Sequence, residues 1–317
     1  MVSVYHIPCF DLRQIAESGQ CFRMRPLGLG EMPDGMENGY RVISGGKVLR
    51  IWQKGEEVSF DCGDGDIGFW TDYFDVETDY QGMIDSVSDG DSYLLAASKA
   101  GKGIRILRQD PWEMIITFVI SQQKTIPKIR ELVEALCRGY GTPVDVGNME
   151  CRTGNAGGQS ADAGTAENGT VWAFPGPEAL GKASLEELQG LKLGYRAKYI
   201  HRLCRDAAAG DLNLEQLKEM NYEEAMEYLT GFYGIGKKVA NCVCLFGLHH
   251  ISAFPVDTWI ERILMEQYYD ERKYRRTPKT CLCDTIVKDC FGTYSGCAGV
   301  MQQYIFYYER MRNSKLS

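Results

Sequence analysis

The stretch "GFYGIGKKVANC", residues 231–242, sets three glycines against two adjacent lysines at the start of an apolar helical run. Gly231, Gly234 and Gly236 let the backbone turn tightly and approach something outside it, while Val239, Ala240, Cys242, Val243 and Phe246 continue as one face of a helix. Lys237 and Lys238 fall in the first turn, where the helix dipole disfavours positive charge. A helix–turn–helix of this kind lines up backbone N–H groups at a helix N-terminus, which makes a site for a phosphate. Close packing of two helices explains the glycines equally well; the lysines are what it leaves unexplained.

Working outward, the chain of 317 residues is 44% hydrophobic, enough to bury one large core or several smaller ones. The N-terminal "MVSVYHIPCFDLRQ" lacks the basic start and long apolar stretch of a secretory signal, so the expected location is the cytoplasm, in a bacterium beside the nucleoid. The 12 cysteines are then expected as reduced thiols. A formal charge of −8 argues against nonspecific coating of nucleic acid but leaves room for a local basic face. Two basic clusters occur, "KLGYRAKYIHRLCR" (192–205) and "RKYRRTPK" (272–279), and either can be a solvated helix face.

The first hundred residues read as mostly strand. "YRVISGGKVLRIWQ" places alternating runs on both sides of Gly45 and Gly46, a hairpin signal, and "EEVSFDC" is a further strand. The pattern turns helical at "LRQDPWEMIITFVI", where Asp110 is an N-cap, Pro111 takes the first helical position and Glu113 completes a capping box. Ser184 to Glu187 and Asn221 to Glu224 have the same form. The expected fold is α+β, an N-terminal antiparallel β-sheet domain over 1–103 followed by an all-helical domain over 104–317. Residues 146–170, rich in Gly, Ala, Asn and Ser, read as a flexible insertion.

Lysine is a poor nucleophile while protonated, and a neighbouring cation, a helix N-terminus and partial burial each favour the neutral amine. Nineteen residues past Lys238, "AFPVDTWIERI" places Asp257 after an extended segment and before an amphipathic run, the position of an N-cap and also of a fixed carboxylate. Together "GIGKKVANC" and "FPVD" resemble the helix-hairpin-helix and Gly/Pro-Asp signature of the HhH-GPD DNA glycosylases. The lysine followed by "VANC" resembles, more narrowly, the 8-oxoguanine DNA glycosylase/AP lyase family, whose other segments recur in order from about residue 16 to residue 306.

The resemblance implies roles at matching positions. Lys238 is the nucleophile and Asp257 its charged partner, while Gly231, Gly234, Gly236 and Lys237 form the phosphate-binding hairpin. "SGQCFRM" implies that the Gly19 carbonyl reads the N7 hydrogen of the oxidised base. "QDPWEMIITFVISQQKTIPKI" implies that Gln123 fills the gap left by the extruded nucleotide. "LKLGYRAKYI" puts Tyr195 and Arg196, with Lys128, near the opposite base. "GVMQQYIFYY" implies that Gln302 contacts the base edge and Phe306 stacks on the ring, with Cys242 on the other face and Phe246 in the same pocket. Gly19, Gln123, Cys242 and Phe306 can equally be a turn glycine, a loop residue and core side chains.

Four positions depart from the family pattern. Phe232 and Tyr233 stand where Leu-Pro is usual, Lys128 where strongly cytosine-selective relatives have arginine, and Trp259 where eukaryotic members have histidine. Lysine lacks arginine's bidentate fork, so opposite-base selectivity is expected to be reduced. Cys281, Cys283, Cys290 and Cys297 give a spacing unlike that of the cluster-bearing relatives, so no iron–sulfur cluster is expected. The implied activity is excision of 8-oxoguanine from duplex DNA by a monomer, with strand nicking, no cofactor and no membrane. A structural cation on the carbonyls of Thr230, Phe232 and Ile235 goes with the resemblance but has no side-chain signature. The rivals are a noncatalytic DNA-docking module and an alkylbase glycosylase, which lacks the lysine.

Overall fold

A computed structural model describes residues 2–28, 30–144 and 170–314. Five strands, β1 (Val2–His6), β2 (Met24–Pro26), β3 (Asn38–Ser44), β4 (Lys47–Lys54) and β5 (Glu57–Cys62), form one antiparallel sheet in the order β1-β5-β4-β3-β2. The β3–β4 hairpin pairs Ser44 with Lys47 across Gly45 and Gly46. Both glycines have positive φ, +57° and +71°, which is what a tight two-residue turn demands.

The strand reading of the first hundred residues holds for the five strands that end at Cys62, with one short helix, Leu12–Glu17, among them. Helices follow at Ile67–Tyr73, Tyr80–Asp85 and Ser92–Ala100. The boundary at 103 also shifts when judged by packing. Trp70, Tyr73 and Phe74 complete the core under the sheet, whereas Tyr80, Leu94 and Ala97 belong to the helical core. The reason is the long helix Ala298–Ser314, which returns from the C-terminal end of the chain and packs on Ser92–Ala100. The expected insertion over 146–170 lies, but for Thr170, outside the described residues.

Capping boxes form as expected at Ser184/Glu187 and Asn221/Glu224. At the Pro111–Ser121 helix Asp110 accepts the Glu113 N–H at 2.8 Å, but the Glu113 side chain does not return the bond. It is buried instead, in a cluster with Arg23 and Glu134, where Arg23 Nε donates to Glu134 at 3.2 Å. Burial pushes the Glu113 carboxyl up to about 7, opposed by Arg23 and aided by Asp110 and Glu134. Raised in the folded state, this carboxyl contributes stability that is present below its ordinary range and lost as pH rises through 7. Glu113→Gln is therefore expected to flatten the fall in stability between about pH 4.5 and 7, a difference on the order of 3 kcal/mol, read by urea denaturation of both proteins across that range.

Buried polar residues tie sheet to helices. Gln20, fully buried, donates to Arg105 O at 2.8 Å and accepts the Leu107 N–H at 2.8 Å, and Gln109 donates to Gln20 O at 2.9 Å. Arg105 donates to the carbonyls of Pro8, Cys9 and Asp75. Gly19, one residue before Gln20, is therefore held on a fixed loop between the two cores.

Candidate active site

The "KKVANC" segment becomes the helix Lys237–Phe246, with Gly236 as an N-cap that offers no side-chain bond. Its first N–H groups have no partner within the helix. The hairpin glycines separate by cause. Gly234 has φ +95°, and an added Cβ would lie 2.5 Å from Tyr199 Cγ, so conformation and packing both require it. Gly236 has φ −92°, and an added Cβ would meet nothing within 4 Å. Neither conformation nor packing requires a glycine there; it serves as the helix N-cap and leaves room for an approach from outside.

Tyr199 also explains Tyr233. The Tyr233 ring meets it edge-on at 4.9 Å, and Tyr199 meets Tyr195 at 5.6 Å, so three tyrosines run from the hairpin towards the loop that carries Gln123. Both ends of that row are open to solvent, Tyr195 at 43% and Tyr233 at 58% exposure. Phe232 turns the other way, onto Tyr228 at 5.1 Å.

Lys238, Cys242 and Phe246 follow at i, i+4 and i+8 and so share one face. That face lines a cavity of about 70 Å³ whose other walls include Gly19, Asp257, Gln302 and Phe306. Seven residues named from the sequence thus meet in one place. Lys238 Nζ lies 3.4 Å from Ser121 Oγ and 5.0 Å from the centre of the Phe118 ring, which in turn stacks on Phe246 at 5.5 Å. Burial pushes the Cys242 thiol up, with Lys238 pulling the other way, so Cys242 offers the cavity a soft neutral surface.

Asp257 caps the helix Thr258–Gln267. Its Oδ1 accepts from Trp259 N at 3.0 Å and Ile260 N at 2.8 Å. The cap leaves Asp257 in the cavity wall, because one carboxylate oxygen holds the helix and the group as a whole lines the cavity. Gln302 is buried, and its carbonyl oxygen accepts from Gln303 Nε2 at 2.8 Å, which leaves its NH₂ to donate. Gly19 has φ +81°, and the Phe306 ring lies so close that an added Cβ would stand 3.2 Å from it. Trp259 backs Phe306 at 6.0 Å between ring centres. A cavity of roughly 150 Å³ is what holds one benzene, so a bicyclic base requires these walls to part.

Other assignments fare differently. Arg196 is only 3% exposed; it donates to Leu193 O at 3.3 Å and to Gln122 O, and lies over the Tyr195 ring at 4.4 Å. It is part of the scaffold in this structure, because two carbonyls within reach take its terminal nitrogens, although its buried Nε has no partner among the described residues. Lys237 points away from the cavity and pairs with Asp284 at 3.1 Å. Lys128 is partly exposed and pairs with Glu131 at 2.6 Å. Gln123 is exposed, with φ +53°.

Sequence reading missed Phe118, Ser121 and Gln303. Phe118 and Ser121 were legible as an i, i+3 pair on a helix ending beside Gln123, and Gln303 adjoins Gln302. The four C-terminal cysteines span the helix Lys279–Phe291 and the segment beyond it. Among the described residues no group of three or more His, Cys, Asp or Glu is placed to hold a metal ion. No described helix is long and apolar enough to cross a membrane.

Comparison with known proteins agrees with this arrangement. Residues 4–115 match the model of the 8-oxoguanine DNA glycosylase N-terminal domain, and residues 116–282, more than half the chain, match that of the HhH-GPD superfamily of base excision DNA repair proteins. The chain belongs to the HhH-GPD superfamily. An N-glycosylase/DNA lyase of Saccharomyces cerevisiae is 30% identical over 75% of this chain, and a probable N-glycosylase/DNA lyase of Methanothermobacter thermautotrophicus is 29% identical over 60%. The chain spans only 61% and 60% of those relatives' own lengths. A solved Clostridium acetobutylicum 8-oxoguanine glycosylase/lyase, in complex with duplex DNA containing cytosine opposite 8-oxoguanine, is 28% identical with a TM-score of 0.80, covering 99% of this chain and 98% of that one. MBOgg1, solved with a low-affinity DNA ligand, is 31% identical with a TM-score of 0.80, covering 98% of this HhH-GPD chain and 96% of its own.

Proposed function

We propose that this protein is a bifunctional DNA glycosylase that removes 8-oxoguanine from duplex DNA and then nicks the strand as an AP lyase, in base excision repair. The observation that carries the reading is that Lys238 and Asp257 line one small cavity with Gly19, Cys242, Gln302 and Phe306. A phosphate-docking module has no use for that cavity, and an alkylbase glycosylase none for the lysine.

Stacking hides C1′ in a duplex, so the nucleotide must leave the helix, with Gln123 entering the gap. The oxidised base seats between Cys242 and Phe306. The Gly19 carbonyl accepts its N7–H, which guanine lacks, and the Gln302 NH₂ donates to its edge. The neutral Lys238 amine attacks C1′ as the bond to the base breaks, and the base departs with a proton. Asp257 stabilises the positive charge developing on the sugar and relays the proton lost by the lysine nitrogen after attack to the departing base. The sugar opens to a Schiff base on Lys238; loss of a C2′ proton then expels the 3′ phosphate, and water releases the product. No oxidation state changes, so the scheme uses no redox cofactor. A structural cation on the carbonyls of Thr230, Phe232 and Ile235 fits beside it: Phe232 O accepts one N–H, from Ile235 at 3.1 Å, and retains a second lone pair. The working state in this reading is a cytoplasmic monomer that associates with the nucleoid on damaged DNA.

Borohydride reduction during turnover tests the proposal. A covalent protein–DNA adduct on an 8-oxoguanine duplex is expected, and DNA binding without any adduct would leave the docking module as the better reading.

Selectivity supplies a further expectation. With Arg196 buried and Lys128 a point charge, recognition of the opposite base lacks a free bidentate group, and such a contact is worth ~1 to 3 kcal/mol of discrimination. Single-turnover excision on four duplexes that differ only opposite the lesion is expected to show modest differences, and Lys128→Arg to sharpen the preference for cytosine without raising the lyase rate on abasic DNA. Strong cytosine specificity in the wild type would transfer that readout to Tyr195.

A further inference from the structure

We propose that Gln122 is a positioning residue that holds the neighbouring Gln123 in its inserting conformation and locks that loop to the DNA-gripping hairpin. The four residues between the helices Pro111–Ser121 and Ile126–Tyr140 contain a tight turn. Gln122 has φ −53° and ψ 120°, Gln123 has φ +53°, and Lys124 N donates to Ser121 O at 3.1 Å. These are the marks of a type II turn with Gln123 at the position that favours glycine or asparagine. An unbranched but long side chain is strained there, and such strain persists only where the surroundings impose it.

The surroundings act through Gln122. Its side-chain Nε2 donates to Gly234 O at 3.0 Å, across 112 residues of sequence, and its own carbonyl accepts from the buried Arg196. Ser121, the first residue of the same turn, meets Lys238 Nζ at 3.4 Å. One turn therefore contacts the lysine with its first residue, the hairpin with its second, and solvent with its third. A hairpin seated on the backbone thus fixes where Gln123 enters the duplex. Gln123 needs no contact of its own to the hairpin, and the burial of Arg196 acquires a purpose.

The inference rests on the proposed base extrusion, and the test separates the two. Gln122→Met keeps the volume and adds no charge but removes the donor to Gly234; Gln122→Asn keeps an amide that is one methylene too short. Single-turnover excision from an 8-oxoguanine duplex is measured with 2-aminopurine fluorescence beside the lesion, affinity for undamaged duplex, and melting temperature. Both variants are expected to lose roughly tenfold in excision and to lose fluorescence in parallel, with affinity for undamaged duplex unchanged. Adding Gln123→Asn, which accepts the left-handed conformation more readily, is expected to restore most of the excision to Gln122→Met. Wild-type excision in both single variants would overturn the inference, as would a loss that follows melting temperature and is not restored by Asn at 123. A wild-type protein that binds but does not excise would instead count against the proposed activity.

Discussion

Lys238→Gln is expected to abolish base release and strand cleavage together, by at least about four orders of magnitude, while binding to lesion DNA persists. In the proposed scheme the two activities fall together because one amine performs both: it displaces the base, and its Schiff base is what makes the 3′ phosphate a leaving group. Binding persists in this reading because the groups proposed to grip DNA lie elsewhere, in the open N–H groups after Gly236, the Gln122–Gln123 turn and the exposed tyrosines. Folding also persists, since Lys238 has only a 3.4 Å contact with Ser121, a bond to the Cys242 thiol and a position over Phe118 to lose. Lys237→Gln is the internal control. Its side chain is 76% exposed and paired with Asp284, so the substitution is expected to lower the salt dependence of binding by about one counterion and leave the chemistry nearly intact. Borohydride trapping and single-turnover cleavage on both variants decide the matter. Equal cleavage by the two would remove Lys238 from the role of nucleophile.

How much of this was legible in advance depends on the range of the interaction involved. The hairpin at Gly45–Gly46, the caps at Asp110, Ser184 and Asn221, and the shared face of Lys238, Cys242 and Phe246 are local, set by turn chemistry and helical period, and they formed as read. The departures are matters of tertiary packing. Residues 67–100 fall in a stretch read as mostly strand because they follow three clear strands, whereas Ile67–Tyr73 packs as a helix under the sheet and the partner of Ser92–Ala100 is a helix that begins two hundred residues later. Glu113 had the spacing of a capping box, yet burial beside Arg23 and Glu134 drew it inward. Arg196 lies in a basic, surface-looking segment, and only the fold brings Gln122 O within its reach. The convergence of Gly19, Asp257 and Gln302 on Lys238 was legible through family resemblance alone, because no periodicity connects residues so far apart.

Asp257→Asn is expected to separate the cap that Asp257 provides from the charge it is proposed to supply. As an N-cap, Asp257 needs an oxygen that accepts from Trp259 N and Ile260 N, and both bonds end on Oδ1. Asparagine supplies that oxygen and caps about as well, so the melting temperature is expected to stay close to the wild-type value. As a member of the cavity that contains Lys238, Asp257 supplies a negative charge, and asparagine does not. Breaking the bond to the base places positive charge on the sugar, so excision is expected to slow by roughly two to four orders of magnitude. An abasic site already presents an aldehyde and needs no such bond broken, so borohydride trapping on abasic DNA is expected to fall less than excision does. Asp257→Ala gives the contrast: it removes cap and charge together and is expected to lose about 1 kcal/mol of stability on top of the catalytic defect. Excision rates, trapping on abasic DNA and thermal melts of the three proteins distinguish the outcomes. If the asparagine variant melted well below the wild type and still excised at the wild-type rate, Asp257 would be a cap and nothing more, and the charge that assists Lys238 would have to come from another wall of the cavity.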